Sequence, residues 1–67
     1  MKATEIKRAV DEGLTVHWMN PGYEVIRGGE RDQYFICCMN TGHCIMLTHA
    51  DGATLNGDEL DFFIAHY

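Results

Sequence analysis

Two runs rich in aromatic, β-branched and sulfur side chains, Gln33 to Met39 and His43 to His49, flank the tripeptide Asn40-Thr41-Gly42. Such runs around a short polar break are the pattern of a β-hairpin. The tripeptide suits a three-residue loop, a type I turn followed by Gly42 in the left-handed region where a side chain would clash. That loop would pair Met39 with His43 and set the register. Period-2 alternation then puts Phe35, Cys37, Met39, His43, Ile45 and Leu47 on one face, and Tyr34, Ile36, Cys38, Cys44, Met46 and Thr48 on the other. The first face is the expected core. The second is too apolar to be left wholly to water, so the C-terminal segment or a partner is expected to cover part of it.

The remaining segments are placed by how they could serve this hairpin. Ala3 to Glu12 reads as a helix: Ile6, Ala9 and Val10 recur at helical spacing, Thr4 is the expected N-cap, Glu5 lies near the positive end of the dipole and Gly13 supplies the stop. Leu14 to Met19 alternates as a strand, Asn20-Pro21-Gly22 suits a type II turn, and Tyr23 to Arg27 returns as a second strand. Gly28-Gly29-Glu30-Arg31 then leads into the hairpin, which makes the four strands a meander with short links. After a turn at Ala50-Asp51-Gly52, Ala53-Thr54-Leu55 is at most a short edge strand. Asp58 to Tyr67 fits two structures. Leu60, Phe63, Ile64 and Tyr67 match helical spacing with Asp58 as N-cap, whereas Phe62-Phe63-Ile64 equally suits a buried strand; the short helix is the preferred reading. The expected fold is therefore α+β: an N-terminal helix on a four-stranded antiparallel meander, followed by a short edge strand and a helix.

Sixty-seven residues allow one small domain, 1–67, which buries only about 60% of the surface its unfolded chain exposes. The longest uninterrupted apolar run, Tyr34 to Met39, is too short to cross a bilayer, and the start of the chain has no leader pattern, so a cytoplasmic protein without membrane contact is expected. In that setting three cysteines read as reduced thiols rather than a disulfide framework. The register above places Cys38 opposite Cys44, which leaves an adventitious bridge between them on oxidation.

No catalytic, metal or cofactor motif emerges. Cys37, Cys38, His43, Cys44 and His49 have the ligand chemistry of zinc or copper, but Cys37 and Cys38 point to opposite faces of a strand and the spacing fits no zinc knuckle. They read as small hydrophobes of a sheet. A nucleophilic pair of Cys44 with His17, His49 or His66 has no helix N-terminus or basic neighbour in sequence to activate the thiol. Gly28-Gly29 lacks the Lys and the following helix of a phosphate loop. Nucleic-acid binding would need a basic stripe, and Arg27 and Arg31 beside Tyr23 and Tyr34 do not make one. A protein with neither enzymatic activity nor cofactor is expected.

Charge separates the two halves of the chain. Residues 1 to 31 hold five basic and five acidic side chains, whereas from Asp32 to Tyr67 there is no Lys or Arg, and Asp32, Asp51, Asp58, Glu59 and Asp61 carry the whole net charge of −5. Such a field repels nucleic acid and favours basic protein surfaces. Carboxylates can stand in for phosphates because both offer acceptor oxygens to Arg and Lys. These five, with Glu30 nearby, are the expected partner-binding residues. Trp18, Tyr23 and Tyr34 are the aromatic candidates for the same contact, with core packing as the competing role for each.

Lys2 to Gly13, Thr15-Val16-His17-Trp18 with Tyr23, Leu47-Thr48, Asp51-Gly52, Leu55-Asn56-Gly57 and Asp61-Phe62-Phe63-Ile64 together resemble small accessory proteins encoded by tailed phages and prophages. The resemblance spans nearly the whole chain and contains no motif with an assigned role. It implies a mobile-element protein similar in kind to anti-defence inhibitors such as anti-CRISPR proteins, which bind a host complex and block its nucleic-acid groove. The expected function is thus a small acidic inhibitor that binds a basic surface on a host protein and does not contact nucleic acid directly. The alternative is a structural or assembly protein, a homodimer rather than a monomer, joined through Ile36, Cys38, Cys44 and Met46 on the second hairpin face.

Overall fold

The computed structural model describes residues 1–30 and 33–65. Arg31, Asp32, His66 and Tyr67 lie outside the described residues, and with them one expected carboxylate and the end of the expected C-terminal helix. The protein is α+β, with α1 (Ala3–Asp11) followed by β1 (Val16–Trp18), β2 (Asn20–Arg27), β3 (Tyr34–Cys38), β4 (Cys44–Met46) and β5 (Phe62–Ile64). The strands form one antiparallel sheet in the order β4-β3-β2-β1-β5. The four-stranded meander is as expected. Its C-terminal neighbour is not.

In place of the expected C-terminal helix, the chain makes one 3-10 turn at Glu59–Asp61 and then adds β5 to the free edge of β1, with Val16 opposite Ile64 and Trp18 opposite Phe62. A helix of this length is marginal without packing, while an open strand edge offers a row of unpaired backbone groups. Asp58 does cap the turn as expected, its carboxylate accepting from Leu60 N–H at 3.0 Å. Helix α1 starts two residues earlier than Thr4 as N-cap would set it, with Lys2 at the N-cap and the Glu5 carboxylate accepting from Lys2 N–H at 3.1 Å. Between β1 and β2 the chain reverses at Met19, whose φ is 65°. Asn20-Pro21-Gly22, expected as the turn, lies within β2, where the register against β1 shifts.

The central hairpin is offset by one residue from its expected register. Cys37 lies opposite Cys44, Ile36 opposite Ile45 and Phe35 opposite Met46. Cys38 N–H donates to His43 O at 2.7 Å and Gly42 N–H to Cys38 O at 2.8 Å, so the loop is the four residues Met39 to Gly42. Gly42 takes the expected left-handed conformation at φ 76°. One extra loop residue moves each side chain of β4 to the opposite face relative to β3.

That offset, with the helix, decides which face is the core. Ile6 and Ala9 of α1 pack with Val16, Val25, Tyr34, Ile36, Leu47 and Phe62, all buried. Tyr34 and Ile36 thus belong to the helix-covered face, correcting the expectation that Phe35, Cys37 and Met39 would form it. Of that expected set, Leu47 joins the core. The helix is also tied to the sheet through Asp11, which accepts from the Tyr34 hydroxyl at 2.8 Å and pairs with Arg27 at 3.5 Å. Lys7 Nζ lies 5.6 Å above the Tyr34 ring.

Candidate functional site

The 3-10 turn after Asp58 presents the most distinctive surface of the molecule. Leu60, between Glu59 and Asp61, is 83% exposed, the largest value among the exposed large hydrophobic residues described. A three-residue turn cannot bury a side chain that points away from the sheet it precedes, and Phe62, two residues on, takes the core position instead. Met19, 58% exposed, is next to this turn: its N–H donates to Asp61 O at 2.8 Å. A bulky residue at positive φ in a tight reversal carries strain. The N-terminal amine donates to Glu59 O and holds the turn against the start of α1. The ion pairs among the described residues are Arg8–Glu12 and Arg27–Asp11, so the Asp58, Glu59 and Asp61 carboxylates stand outside them. Two apolar knobs thus sit among three carboxylates, one of which, Asp58, is occupied in capping.

The other expected contact residues are dispersed. Asp51 lies in the loop after β4, where its carboxylate accepts from Ala53 N–H and Thr54 N–H, both at 2.9 Å, and from the Thr54 hydroxyl at 2.6 Å. These bonds, that of the Thr54 side chain foremost, hold its pKa down at about 2. Its oxygens are engaged in shaping their own loop. Glu30 is exposed beyond the far end of β2 from Met19, about 23 Å away if seven steps of a strand are counted. Tyr34 is buried, 4% exposed, with its hydroxyl on Asp11, so it is a core residue and not a surface aromatic. Trp18 and Tyr23 are half-buried and pack edge to face with ring centroids 5.2 Å apart.

Those two aromatics help to line a cavity of about 380 Å³ on the helix-side face, together with Ile36, Cys38, Thr41, His43 and Ile45. Cys38 is the free thiol of the three cysteines. A hydrogen bond from the Thr41 side chain, then bonds from the Thr41 and Asn40 backbone, lower its pKa from the ordinary thiol value. Cys37 and Cys44 form a disulfide, with Cα atoms 4.0 Å apart. This overturns the expectation of reduced thiols, and the bridge joins a different pair from the Cys38–Cys44 one that the expected register left open on oxidation. The physical reason is the register: Cys38 N–H donates to His43 O across the ladder, so Cys37 and Cys44 are the adjacent non-hydrogen-bonded pair, where cross-strand side chains come closest. Among the described residues no three His, Cys, Asp or Glu side chains converge to hold a metal, and no helix is long and apolar enough to cross a membrane.

The sheet face opposite the helix carries Ile26 and Phe63, each 39% exposed, and Met46 at 46%, around the Cys37–Cys44 bridge. It differs from the expected dimer face, whose central residue, Ile36, is 2% exposed beneath the helix. Leu60 and Met19 were missed as surface residues because helical spacing assigns Leu60 to a buried stripe and strand alternation places Met19 within β1. The detectable signal was a lone leucine enclosed by Asp58, Glu59 and Asp61. No protein family, curated protein or solved structure matches this chain.

Proposed function

We propose that this protein is a small, acidic, non-enzymatic inhibitor that docks on a basic surface of another protein through the turn 58–61. Glu59 and Asp61 supply acceptor oxygens to Arg or Lys of the partner, and Leu60, with Met19 beside it, fills an apolar recess between those cations. The observation that carries the reading is the 83% exposure of Leu60 between two exposed carboxylates. A leucine this exposed adds little buried apolar area to the fold, whereas at an interface it supplies the desolvated centre that carboxylates alone lack. The resemblance to small phage and prophage accessory proteins implies a setting in which anti-defence inhibitors occur, and so a host nucleic-acid-binding complex as the target class, with the carboxylates in the place of backbone phosphates.

The test is capture from a bacterial host lysate at low salt, followed by titration of the captured protein against rising salt. Wild-type protein is expected to retain a partner whose affinity falls as the field is screened. Leu60→Ser is expected to cost more than about 1 kcal/mol of binding energy, and Glu59→Lys with Asp61→Lys more than about tenfold in affinity. A partner indifferent to salt and to all three changes would remove this turn from the interface. The competing assembly reading is met by sedimentation of the purified chain, where it requires a homodimer.

A further inference from the structure

All three cysteines of the chain lie on one hairpin, with Cys37 bonded to Cys44 and Cys38 free beside them. We propose that this hairpin is a thiol–disulfide exchange unit with two strand registers. The Cys38 thiolate attacks Sγ of Cys44; the Cys38–Cys44 bond forms as the Cys37–Cys44 bond breaks, and the electron pair leaves on Cys37 as a thiolate. One disulfide and one thiolate are present before and after, so the step consumes no oxidant or reductant.

The geometry supplies both end states. In the observed register the loop is Met39 to Gly42 and Cys37 faces Cys44. Moving β4 by one residue shortens the loop to Asn40-Thr41-Gly42, puts Met39 opposite His43 and brings Cys38 opposite Cys44. Gly42, at φ 76°, already has the left-handed conformation that a three-residue loop requires at that position. Register is held wherever a strand buries one face and exposes the other, and β4 does neither: its three residues are all exposed, Ile45 at 40% and Met46 at 46% although they point to opposite faces. As an edge strand, β4 pairs with β3 alone, and on its outer side the Met46 carbonyl accepts a side-chain bond, from Asn56 Nδ2 at 3.0 Å, which the shift must break.

Limits to the movement are also visible. Leu47 is fully buried, its N–H bonded to Tyr34 O at 3.0 Å and its O to Asn56 N–H at 2.9 Å. The shift is therefore confined to residues 43–46, and β3 absorbs the extra residue as a bulge between Tyr34 and Cys38. Because the Cys38 and Cys44 side chains start on opposite faces, β4 must peel from β3 for the attack to occur. A direct Cys37–Cys38 bond is excluded while β3 stays extended, since adjacent strand residues point apart.

The attacking thiol is well placed to ionise. It accepts hydrogen bonds from the Thr41 side chain and from the loop backbone. The titratable groups facing it are His43 across on β4 and Tyr23 across on β2; Trp18, Ile36, Thr41 and Ile45 complete the cavity wall without a carboxylate. After exchange Ile45 leaves that wall and Cys44 and Met46 turn towards it, so the disulfide isomer sets the shape of the cavity beside Trp18.

Wild-type protein without reductant, held at about pH 8 where thiolate is plentiful, is pulsed with excess N-ethylmaleimide and the label located by fragmentation mass spectrometry. The expected result is a label divided between Cys38 and Cys37, with at least roughly a tenth on Cys37. Label on Cys38 alone after hours of equilibration overturns the proposal. A second arm uses Cys37→Ser in a glutathione redox buffer: a Cys38–Cys44 bond with nuclear Overhauser contacts between Met39 and His43 supports it. The contrary result is thiols that stay unpaired in Cys37→Ser while Cys38→Ser forms Cys37–Cys44 in the same buffer. If Cys37→Ser does not fold, the wild-type labelling decides.

Discussion

A Cβ placed on Gly57 would come within 2.6 Å of Trp18 Nε1 and 3.0 Å of Cε2, so the absence of a side chain there is what allows the chain to cross the indole. The same indole N–H is buried without a hydrogen-bond partner among the described residues, which leaves the ring held by packing alone. Gly57→Ala is therefore expected to displace the ring and cost about 1–3 kcal/mol, seen as a lower midpoint in urea with an unchanged slope. Asp51 makes a different residue-scale prediction. Its folded pKa of about 2 lies below the ordinary 3.8, so the folded state resists protonation. The stability this contributes is whole above about pH 4 and is lost as the pH falls through the folded value. Asp51→Ala should narrow its deficit in melting temperature against wild type between about pH 5 and pH 2. A deficit that stays constant over that range would mean the carboxylate does not hold the loop.

At the scale of elements, the hairpin shows how one loop residue governs a face. Ile36 is 2% exposed and Ile6 is 0%, whereas Ile45, directly opposite Ile36, is 40% exposed because β4 is an edge and α1 does not reach over it. Truncation to Ala is expected to cost about 2–5 kcal/mol at Ile6 or Ile36 and about 1 kcal/mol at Ile45. Denaturant midpoints of the three variants check that ranking. Equal losses at Ile36 and Ile45 would mean that Ile45 is buried against the helix-side core as fully as Ile36. The C-terminal segment gives the complementary case. Its apolar residues fit two periodicities, and the outcome rested on the open edge of β1, a feature absent from the segment itself.

For the whole molecule, the distribution of charge in space differs from its distribution along the chain. Asp58, Glu59 and Asp61 are brought together beside Met19, Asp51 is engaged by its own loop and Glu30 lies beyond the opposite end of β2. That separation exceeds a Debye length of about 8 Å at physiological salt. With a basic partner, Asp61→Lys is accordingly expected to weaken binding several-fold more than Glu30→Lys, and calorimetric titration of the two variants measures the difference. Neither change is expected to move stability by more than about 0.5 kcal/mol. Local sequence sufficed for the helix, the four-strand meander, the cap at Asp58 and the left-handed Gly42, because each depends on residues within a turn or two of chain. Acidity of the second half was equally open to reading, since charge is a property of composition. Tertiary structure alone decided the hairpin register, the Cys37–Cys44 bridge, the burial of Tyr34 and the exposure of Leu60. Each of these depends on which of two chemically similar faces meets the helix or which strand edge stays open, and alternation within a strand carries no label for the face that a distant element will cover.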